Sequence, residues 1–396
     1  MRILFVSDTY FPHLNGVYYF VCRIAPLLQD KGHHVAVIAP SETIHASHKK
    51  IDNIDVYGVA SLPAIYYPKV RIPIPVLLKS RVNHLIHTFK PDVIHVQDHF
   101  LISKAVIKVG KHAGIPIIGT NHFMPENLTA LIRSEKWKKK LEKMLWSEFS
   151  KVLNQIIVIT TPTETGAKLI RPKLDVKVIA ITSGIDLRDF NPFGNPENVR
   201  LKYNIPAKPV LLFVGRLDPE KNIEEILRAL AFVSKKIDFC FVIVGKGLRR
   251  KALEQLTEEL GITNHVIFTG FVPEKDLPFL YKLSRCFIIA SIAELLSLAT
   301  LQAMASGLPI IAANAGALPE LVHDKINGYL FNTNDIEALA ESVHSILTKD
   351  EIYAKMCKKS LEKAADHDIN NTVEAFEALY KVYAIKKPIE KNYIYT

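Results

Sequence analysis

Short runs of β-branched and aliphatic residues alternate with longer amphipathic stretches almost from end to end of the chain, the pattern of parallel-sheet α/β domains. In the first half, strands are predicted at residues 3–7, 35–39, 93–96, 115–119 and 155–160. In the second half they are predicted at residues 210–214, 239–244, 265–269, 286–290 and 309–313. A first helix is predicted over residues 17–31, with Pro26 inside it and Gly32 closing it. Between the halves, Asn191-Pro-Phe-Gly-Asn-Pro-Glu197 concentrates turn formers and breaks both periodicities, which places a linker near residues 190–205. The expectation is α/β: two Rossmann-like doubly wound domains, at residues 1–192 and 200–369. A helix at about 370–390 is expected to pack back on the first. Two such domains facing each other enclose a cleft lined by strand C-termini and helix N-termini, where ligands of α/β sheets bind.

Composition excludes more than it selects. With 396 residues, 48% hydrophobic and 23% charged, the chain is neither disordered nor of low complexity. Its four cysteines, Cys22, Cys240, Cys286 and Cys357, form no C-x-x-C pair, so neither a disulfide framework nor a thiolate zinc site is indicated, and a reducing cytoplasm is the default. The opening MRILFVSDTY is too short in its apolar run for a signal peptide, and no segment reaches the roughly 18–20 apolar residues of a membrane span. The expectation is a protein that neither leaves the cytoplasm nor crosses the membrane by itself. The net charge of +10 is uneven: residues 1–200 carry 26 Lys and Arg against 16 Asp and Glu, whereas residues 201–396 carry 24 against 24. The first half therefore suits an anionic partner, nucleic acid or an acidic membrane surface.

Candidate chemistry concentrates in the second half. In Phe213-Val-Gly-Arg-Leu-Asp-Pro-Glu-Lys-Asn222, a strand leads into a helix, so Arg216 and Lys221 stand at the carboxyl end of the sheet beside a helix N-terminus, a setting that suits a diphosphate. The plainer alternative is two surface cations on a loop. Val244-Gly-Lys-Gly-Leu248 is a Gly-rich loop without the third glycine of a dinucleotide fingerprint, and Gly245 is its first glycine. Glu294, the only carboxylate between Asp276 and Glu320, precedes a helix predicted over residues 297–306. It is either a ligand contact or a first-turn acid favoured by the helix dipole. The amides of residues 296–299 would point into the cleft.

These residues carry a resemblance. The series G-R-L-x-x-E-K-N, V-G-x-G, T-G-F-V-P and S-x-A-E-x-x-S-L-x-x-L-Q-A-M-A-S-G-L-P-I-I resembles the donor domain of the family 4 retaining glycosyltransferases of GT-B architecture. The first half resembles it too, at Ser7-Asp-Thr-Tyr-Phe-Pro-His-Leu-Asn-Gly-Val17 and Ile181-Thr-Ser-Gly-Ile-Asp-Leu-Arg-Asp-Phe-Asn-Pro192. Gly119-Thr-Asn-His-Phe-Met-Pro-Glu-Asn127 is similar to members that glycosylate lipids, the diacylglycerol glucosyltransferases and phosphatidylinositol mannosyltransferases. The resemblance implies that Arg216 and Lys221 neutralise a nucleotide diphosphate and that Glu294, first acid of the E-x7-E motif, contacts the donor hexose. Where the second acid would hold the ribose, this chain has Gln302, an amide without the charge-assisted strength of a carboxylate, so weaker donor binding with retained activity is expected. An Asp common after the preceding helix is replaced by Arg285. Gly16 would let the first loop approach the donor phosphate, because a side chain would crowd it. Val272 would meet the nucleobase through its backbone, and Gly245, Leu296, Ser297 and Leu298 complete the donor set.

The resemblance also implies that His122 sits near the donor sugar and acceptor, where it could hydrogen-bond a hydroxyl or phosphate; spacing alone favours a structural histidine. His95, His99 and His122 also admit a metal reading, although His95 and His99 straddle a strand end and the loop after it. No metal is required, because cationic side chains and helix amides can stabilise a leaving diphosphate. Residues 131–153, LIRSEKWKKKLEKMLWSEFSKVL, form a basic amphipathic helix with Trp137, Leu141, Met144, Leu145, Phe149 and Val152 at helical spacing and both tryptophans of the chain. It either packs on its own domain or docks on an anionic membrane. Tyr66-Tyr-Pro-Lys-Val-Arg-Ile-Pro-Ile-Pro-Val-Leu-Leu78 adds a second basic and apolar stretch. The expectation is a cytoplasmic enzyme, peripheral on the inner face of the cell membrane, that moves a hexose from a nucleotide sugar to a lipid, with UDP-glucose and diacylglycerol as the substrates. The alternatives are a small phosphorylated acceptor, a nucleotide-sugar-binding protein without turnover, and an epimerase, which shares the architecture but not the motifs. No nucleic-acid module is recognised.

Overall fold

The computed structural model describes residues 1–11, 15–64, 70–122, 124, 134–191 and 193–384. The chain divides into two compact units, Met1–Ser183 with Ile369–Thr396, and Gly184–Asp368. The first unit is built on an eight-stranded sheet of β1 (Arg2–Val6), β2 (His34–Pro40), β3 (Ser47–Ile51), β4 (Ile54–Val59), β7 (Val93–Val96), β8 (Ile117–Thr120), β9 (Val158–Thr161) and β10 (Lys177–Ala180). Their order is β10-β9-β8-β7-β1-β2-β4-β3, and all neighbours are parallel except β3 against β4. A small antiparallel pair, β5 (Ser61–Pro63) and β6 (Arg71–Pro73), stands apart from it. The second unit carries β11 (Val210–Val214), β12 (Cys240–Val244), β13 (Val266–Gly270), β14 (Ser284–Ile289), β15 (Ile310–Ala313) and β16 (Gly328–Phe331), in the order β13-β12-β11-β14-β15-β16 and parallel throughout. The inner strands are continuous apolar runs because helices cover both of their faces.

The helices used below are α1 (Gly16–Asp30), α2 (Pro75–Phe89), α3 (Leu101–His112), α4 (Glu135–Leu153), α5 (Ile223–Val233), α6 (Leu298–Ala305) and α7 (Ile369–Ala384). Helix α7 belongs to the first unit, and its Ile369, Val373, Phe376 and Tyr380 are buried in one cluster with Phe20, Ile24 and Leu28 of α1. The expected helix reached residue 390, but residues 385–396 lie outside the described ones. Pro26 stays inside α1.

The division falls earlier than the turn-rich stretch suggested. Ile185 is fully buried in the second core, where Phe190, Val199 and Ile205 join it, and its amide donates to the His367 carbonyl at 2.8 Å. Gly194 and Pro196 therefore lie in a loop belonging to the second unit, and the boundary at 192 is corrected to Ser183/Gly184. The strand predicted at residues 155–160 begins only at Val158, because the amides of Gln155 and Ile156 still bond back to the Val152 and Leu153 carbonyls at the end of α4.

Candidate active site

In an open parallel sheet, ligands bind outside the strand C-termini where the strand order reverses. In the second unit that point lies between β11 and β14. The loop after β11 holds Arg216, which is 70% exposed and paired with two carboxylates of its own loop, Asp218 and, at 2.7 Å, Glu220. Lys221 reaches Glu294 on the loop after β14, with Nζ 2.5 Å from Oε1 and both side chains largely buried. Two further bonds knit these loops: the Ile292 amide at 3.1 Å and the Ser291 hydroxyl at 3.2 Å both donate to the Glu220 carbonyl. The structure thus brings Arg216, Lys221 and Glu294 together on adjoining loops.

Close backbone approach explains one predicted glycine. A Cβ on Gly245, whose φ is +138°, would lie 1.8 Å from the Gly215 carbonyl oxygen, so its bareness lets the β12 loop support the loop that carries Arg216. A second glycine, Gly316, passes close to Glu294, though less tightly: a Cβ there would lie 2.9 Å from the Glu294 carbonyl oxygen, to which the Ala317 amide donates at 3.0 Å. Ser297 caps α6, its hydroxyl accepting from the Thr300 amide at 3.2 Å. The first amides of that helix, on Leu298 and Ala299, have no intrahelical acceptor. Leu296 is half-buried beside the cap, and Val272 is buried in the core. Gln302 is held by Tyr281, whose buried hydroxyl donates to its Oε1 at 2.9 Å. Arg285 turns away to other work: Nε donates to the Ile346 carbonyl at 2.9 Å, and the guanidinium lies 4.1 Å over the Tyr353 ring and pairs with Asp350.

The remaining predicted residues, His122 and Gly16, are in the first unit, whose strand order reverses at β7, β1 and β2. His122 Nε2 lies 2.9 Å from Gln97 Oε1, and the Phe20 ring packs edge-on at 4.8 Å. Burial pushes the His122 pKa down to about 4, so the ring is neutral at pH 7. Gly16 opens α1 and is exposed, and no described atom outside its own turn lies within 4 Å of where its Cβ would be. Residues 12–14, 123, 125–133 and 192 of the quoted motifs lie outside the described residues. At the same end of the sheet, Asp8 accepts from the Ile102 and Ser103 amides at 2.6 and 3.0 Å, while Asp98 accepts from the Asp8 amide at 2.7 Å. Both ring nitrogens of His95 are engaged, by Tyr380 and Thr120, each at 2.7 Å. Among the described residues no cluster of His, Cys, Asp and Glu is arranged to hold a metal ion.

The basic helix α4 divides along its length. Its C-terminal Phe149, Val152 and Leu153 are buried, and Lys104 of α3 pairs with Glu148 at 2.9 Å, so this end packs on its own unit. Its N-terminal part leaves Trp137 62% and Met144 56% exposed, with Lys140 5.2 Å over the Trp137 ring. The apolar stripe read from spacing is therefore not one continuous free face. Leu62, Ile72, Val76 and Leu77, on β5, β6 and the start of α2, are exposed as well; residues 65–69 are outside the described ones.

Two family models divide the chain between them: "Glycosyltransferase Family 4" matches residues 14–189, and "Glycosyl transferases group 1" matches residues 197–363. The chain is a family 4 glycosyltransferase of GT-B fold. Among its relatives, a sulfoquinovosyl transferase of Arabidopsis thaliana is 27% identical over 91% of this chain and 70% of its own. A GDP-mannose-dependent alpha-mannosyltransferase of Mycolicibacterium smegmatis is 26% identical over 91% and 92%. The alpha-monoglucosyldiacylglycerol synthase of Acholeplasma laidlawii is 27% identical over 90% and 96%. In three dimensions the glycosyltransferase is similar to a sucrose-phosphate synthase from Thermosynechococcus elongatus, with a TM-score of 0.77, 19% identity, and 96% and 98% of the two chains covered.

Several residues that shape these sites carry no motif. Gly316, Tyr281 and Gln97 were not singled out by any motif, and Asp8, although it stands in the first-loop motif, was given no role. Each acts through a partner from another element of the glycosyltransferase.

Proposed function

We propose that this glycosyltransferase moves glucose from UDP-glucose to the hydroxyl of a membrane lipid such as diacylglycerol, with retention of anomeric configuration. The observation that carries the reading is the Lys221–Glu294 pair at the strand-order reversal of the second unit, beside the Arg216 loop and the N-terminus of α6. A diphosphate binding there takes Arg216 and Lys221 from their carboxylate partners and gains the α6 amides, which stabilise charge developing on the leaving phosphate. Glu294, released from Lys221, is then an acceptor for hydroxyls of the hexose. The NH2 of Gln302, whose oxygen is occupied by Tyr281, donates to the ribose. Gly16, Gly245, Val272, Leu296, Ser297 and Leu298 complete the donor set, and no metal or other cofactor is required. Neutral His122 serves the acceptor side as a hydrogen-bond partner rather than as a cation.

The lipid acceptor is supported by the glucosyldiacylglycerol synthase among the relatives and by the exposed tryptophan and lysines of α4. This reading puts the enzyme on the inner face of the membrane, docked on anionic lipid and not on nucleic acid. Among the described residues no helix is long and apolar enough to cross the bilayer. The test supplies UDP-glucose or GDP-mannose together with vesicles containing diacylglycerol, or with a soluble sugar phosphate or inositol phosphate. Glucolipid formed from UDP-glucose alone is the expected result. Mannosyl transfer would overturn the donor, transfer only to the soluble phosphate would overturn the acceptor, and absence of any turnover would leave a binding protein.

A further inference from the structure

The last helix of the first unit reaches toward His122 through buried hydrogen bonds. Tyr380 of α7 is fully buried, and its hydroxyl lies 2.7 Å from Nδ1 of His95, 285 residues away in sequence. His95 Nε2 lies 2.7 Å from the Thr120 hydroxyl, and that hydroxyl lies 2.6 Å from the hydroxyl of Thr160. Thr160 in turn donates to the Gly119 carbonyl at 3.3 Å. One donor direction satisfies every member. Because Thr160 gives its proton to a carbonyl, it accepts from Thr120; Thr120 then accepts from the N–H at Nε2 of His95, and Nδ1 accepts from Tyr380. A neutral ring is what this requires, and burial pushes the His95 pKa down to about 3.

His95 also touches the His122 environment by a second route. Its carbonyl accepts from the Gln97 amide at 3.5 Å, and the other end of that amide, Oε1, faces His122 Nε2 at 2.9 Å. On the first route, Thr120 immediately precedes Asn121, whose amide donates to the Thr160 carbonyl at 2.8 Å. The Phe20 ring completes the enclosure, at 4.8 Å from His122 and 6.4 Å from His95, while Phe376 of α7 lies 5.2 Å from His95.

We propose that Tyr380 is a positioning residue for the transfer reaction: by fixing the tautomer and orientation of His95, it holds the Thr120–Asn121–His122 strand end and keeps Nδ1 of His122 as the hydrogen-bond acceptor offered to substrate. The proposal rests on the acceptor-side role given above to His122. It adds a specific task to α7, beyond filling the core.

The test uses the full chain with UDP-glucose and diacylglycerol vesicles, and nitrogen NMR of the imidazoles. Tyr380→Phe removes one oxygen and keeps the ring. It is expected to lower kcat about fivefold or more with the donor KM unchanged within about twofold, since a lost buried hydrogen bond is of that size. In the wild-type spectrum His95 is expected to be a single Nε2–H tautomer; in Tyr380→Phe it is expected to become a mixture, with a shift of the His122 signals. Thr120→Val is expected to repeat the kcat loss, Thr120→Ser to restore it, and the Tyr380→Phe/Thr120→Val pair to be less than additive. Should Tyr380→Phe not fold, the two Thr120 variants decide. His122→Ala separates the two claims. Wild-type turnover by His122→Ala overturns the role of His122. An impaired His122→Ala beside fully active Tyr380→Phe and Thr120→Val, or an unchanged His95 tautomer in Tyr380→Phe, overturns the positioning role alone.

Discussion

Lys221 Nζ lies 2.5 Å from Glu294 Oε1, although 73 residues separate them, and the pair joins two loops that leave adjacent strands of the second sheet. Both side chains are largely buried, 15% and 11% exposed, so removing one charge strands the other. Glu294→Gln keeps shape and hydrogen bonding but loses the charge. It is expected to reduce transfer by roughly 100- to 1,000-fold, the usual cost of deleting one transition-state contact, and to lower the melting temperature. Lys221→Ala should abolish transfer with the fold retained by circular dichroism. Near wild-type turnover by either variant removes that residue from the site.

Arg216 separates activity from stability more cleanly. Its guanidinium is mostly exposed and its ion pairs are within its own loop, so they add little to folding. Arg216→Ala is expected to leave the melting temperature within about 2 °C of wild type, a surface-substitution effect, while transfer is lost. A variant that binds UDP as tightly as wild type in calorimetry would exclude Arg216 as a diphosphate ligand.

Gln302→Glu restores the acid expected at that position. The Tyr281 hydroxyl already points at the side-chain oxygen from 2.9 Å, so a carboxylate would be received without rearrangement. A charge-assisted bond to the ribose is roughly twice as strong as a neutral one. The donor KM should fall severalfold with kcat little changed, and a rise in KM would count against ribose contact at this residue.

Asp8 makes stability depend on pH. Burial, and next the negative Asp98 beside it, hold its carboxyl well above the usual carboxylate range, against the pull of the Ile102 and Ser103 amides. A raised folded pKa means that the folded state binds the proton more tightly than the unfolded chain. The stabilisation is therefore complete below the ordinary carboxyl pKa and is lost as pH rises through the raised value. Asp8→Asn removes the titration, while its NH2 then faces one of the two backbone amides that the carboxylate oxygens accept. Its melting temperature relative to wild type should therefore rise by roughly 2–4 °C between acid and pH 8, the shift for about 1 kcal/mol in a domain of this size. A relative melting temperature that falls over that range would show that the charged form is the one the fold prefers.

The exposed end of α4 predicts a salt-sensitive membrane contact. Replacing Trp137, Lys138, Lys139 and Lys140 by Ala removes three cations, each contributing about 1 kcal/mol near an anionic surface, so vesicle binding should weaken roughly 100-fold. UDP binding should be untouched. Equal flotation of variant and wild type on anionic vesicles would return α4 to an ordinary packed helix.

The architecture was legible because inner strands of a parallel sheet are continuous apolar runs, and Val210–Val214 occupies the residues its pattern marks. Ser47–Ile51 escaped the same test because SHKKI is a polar, exposed edge strand. At the candidate site, Arg216, Lys221 and Glu294 were legible from short motifs. Their arrangement was not: spacing cannot show that Gly316 passes within a methyl group of Glu294, or that Arg285 stacks on Tyr353 instead of serving the site. Contacts across hundreds of residues, such as Tyr380 with His95, leave no local periodicity at all.

Because Ile369, Val373, Phe376 and Tyr380 complete the core begun by β1 and α1, the first unit is finished by residues translated after the whole of the second. On the ribosome the two units therefore do not mature in the order of their numbering. The second unit has all its core residues first, while the first waits with the floor beneath Phe20 and His95 open to solvent. This ordering ties completion of the first unit to an already synthesised second unit.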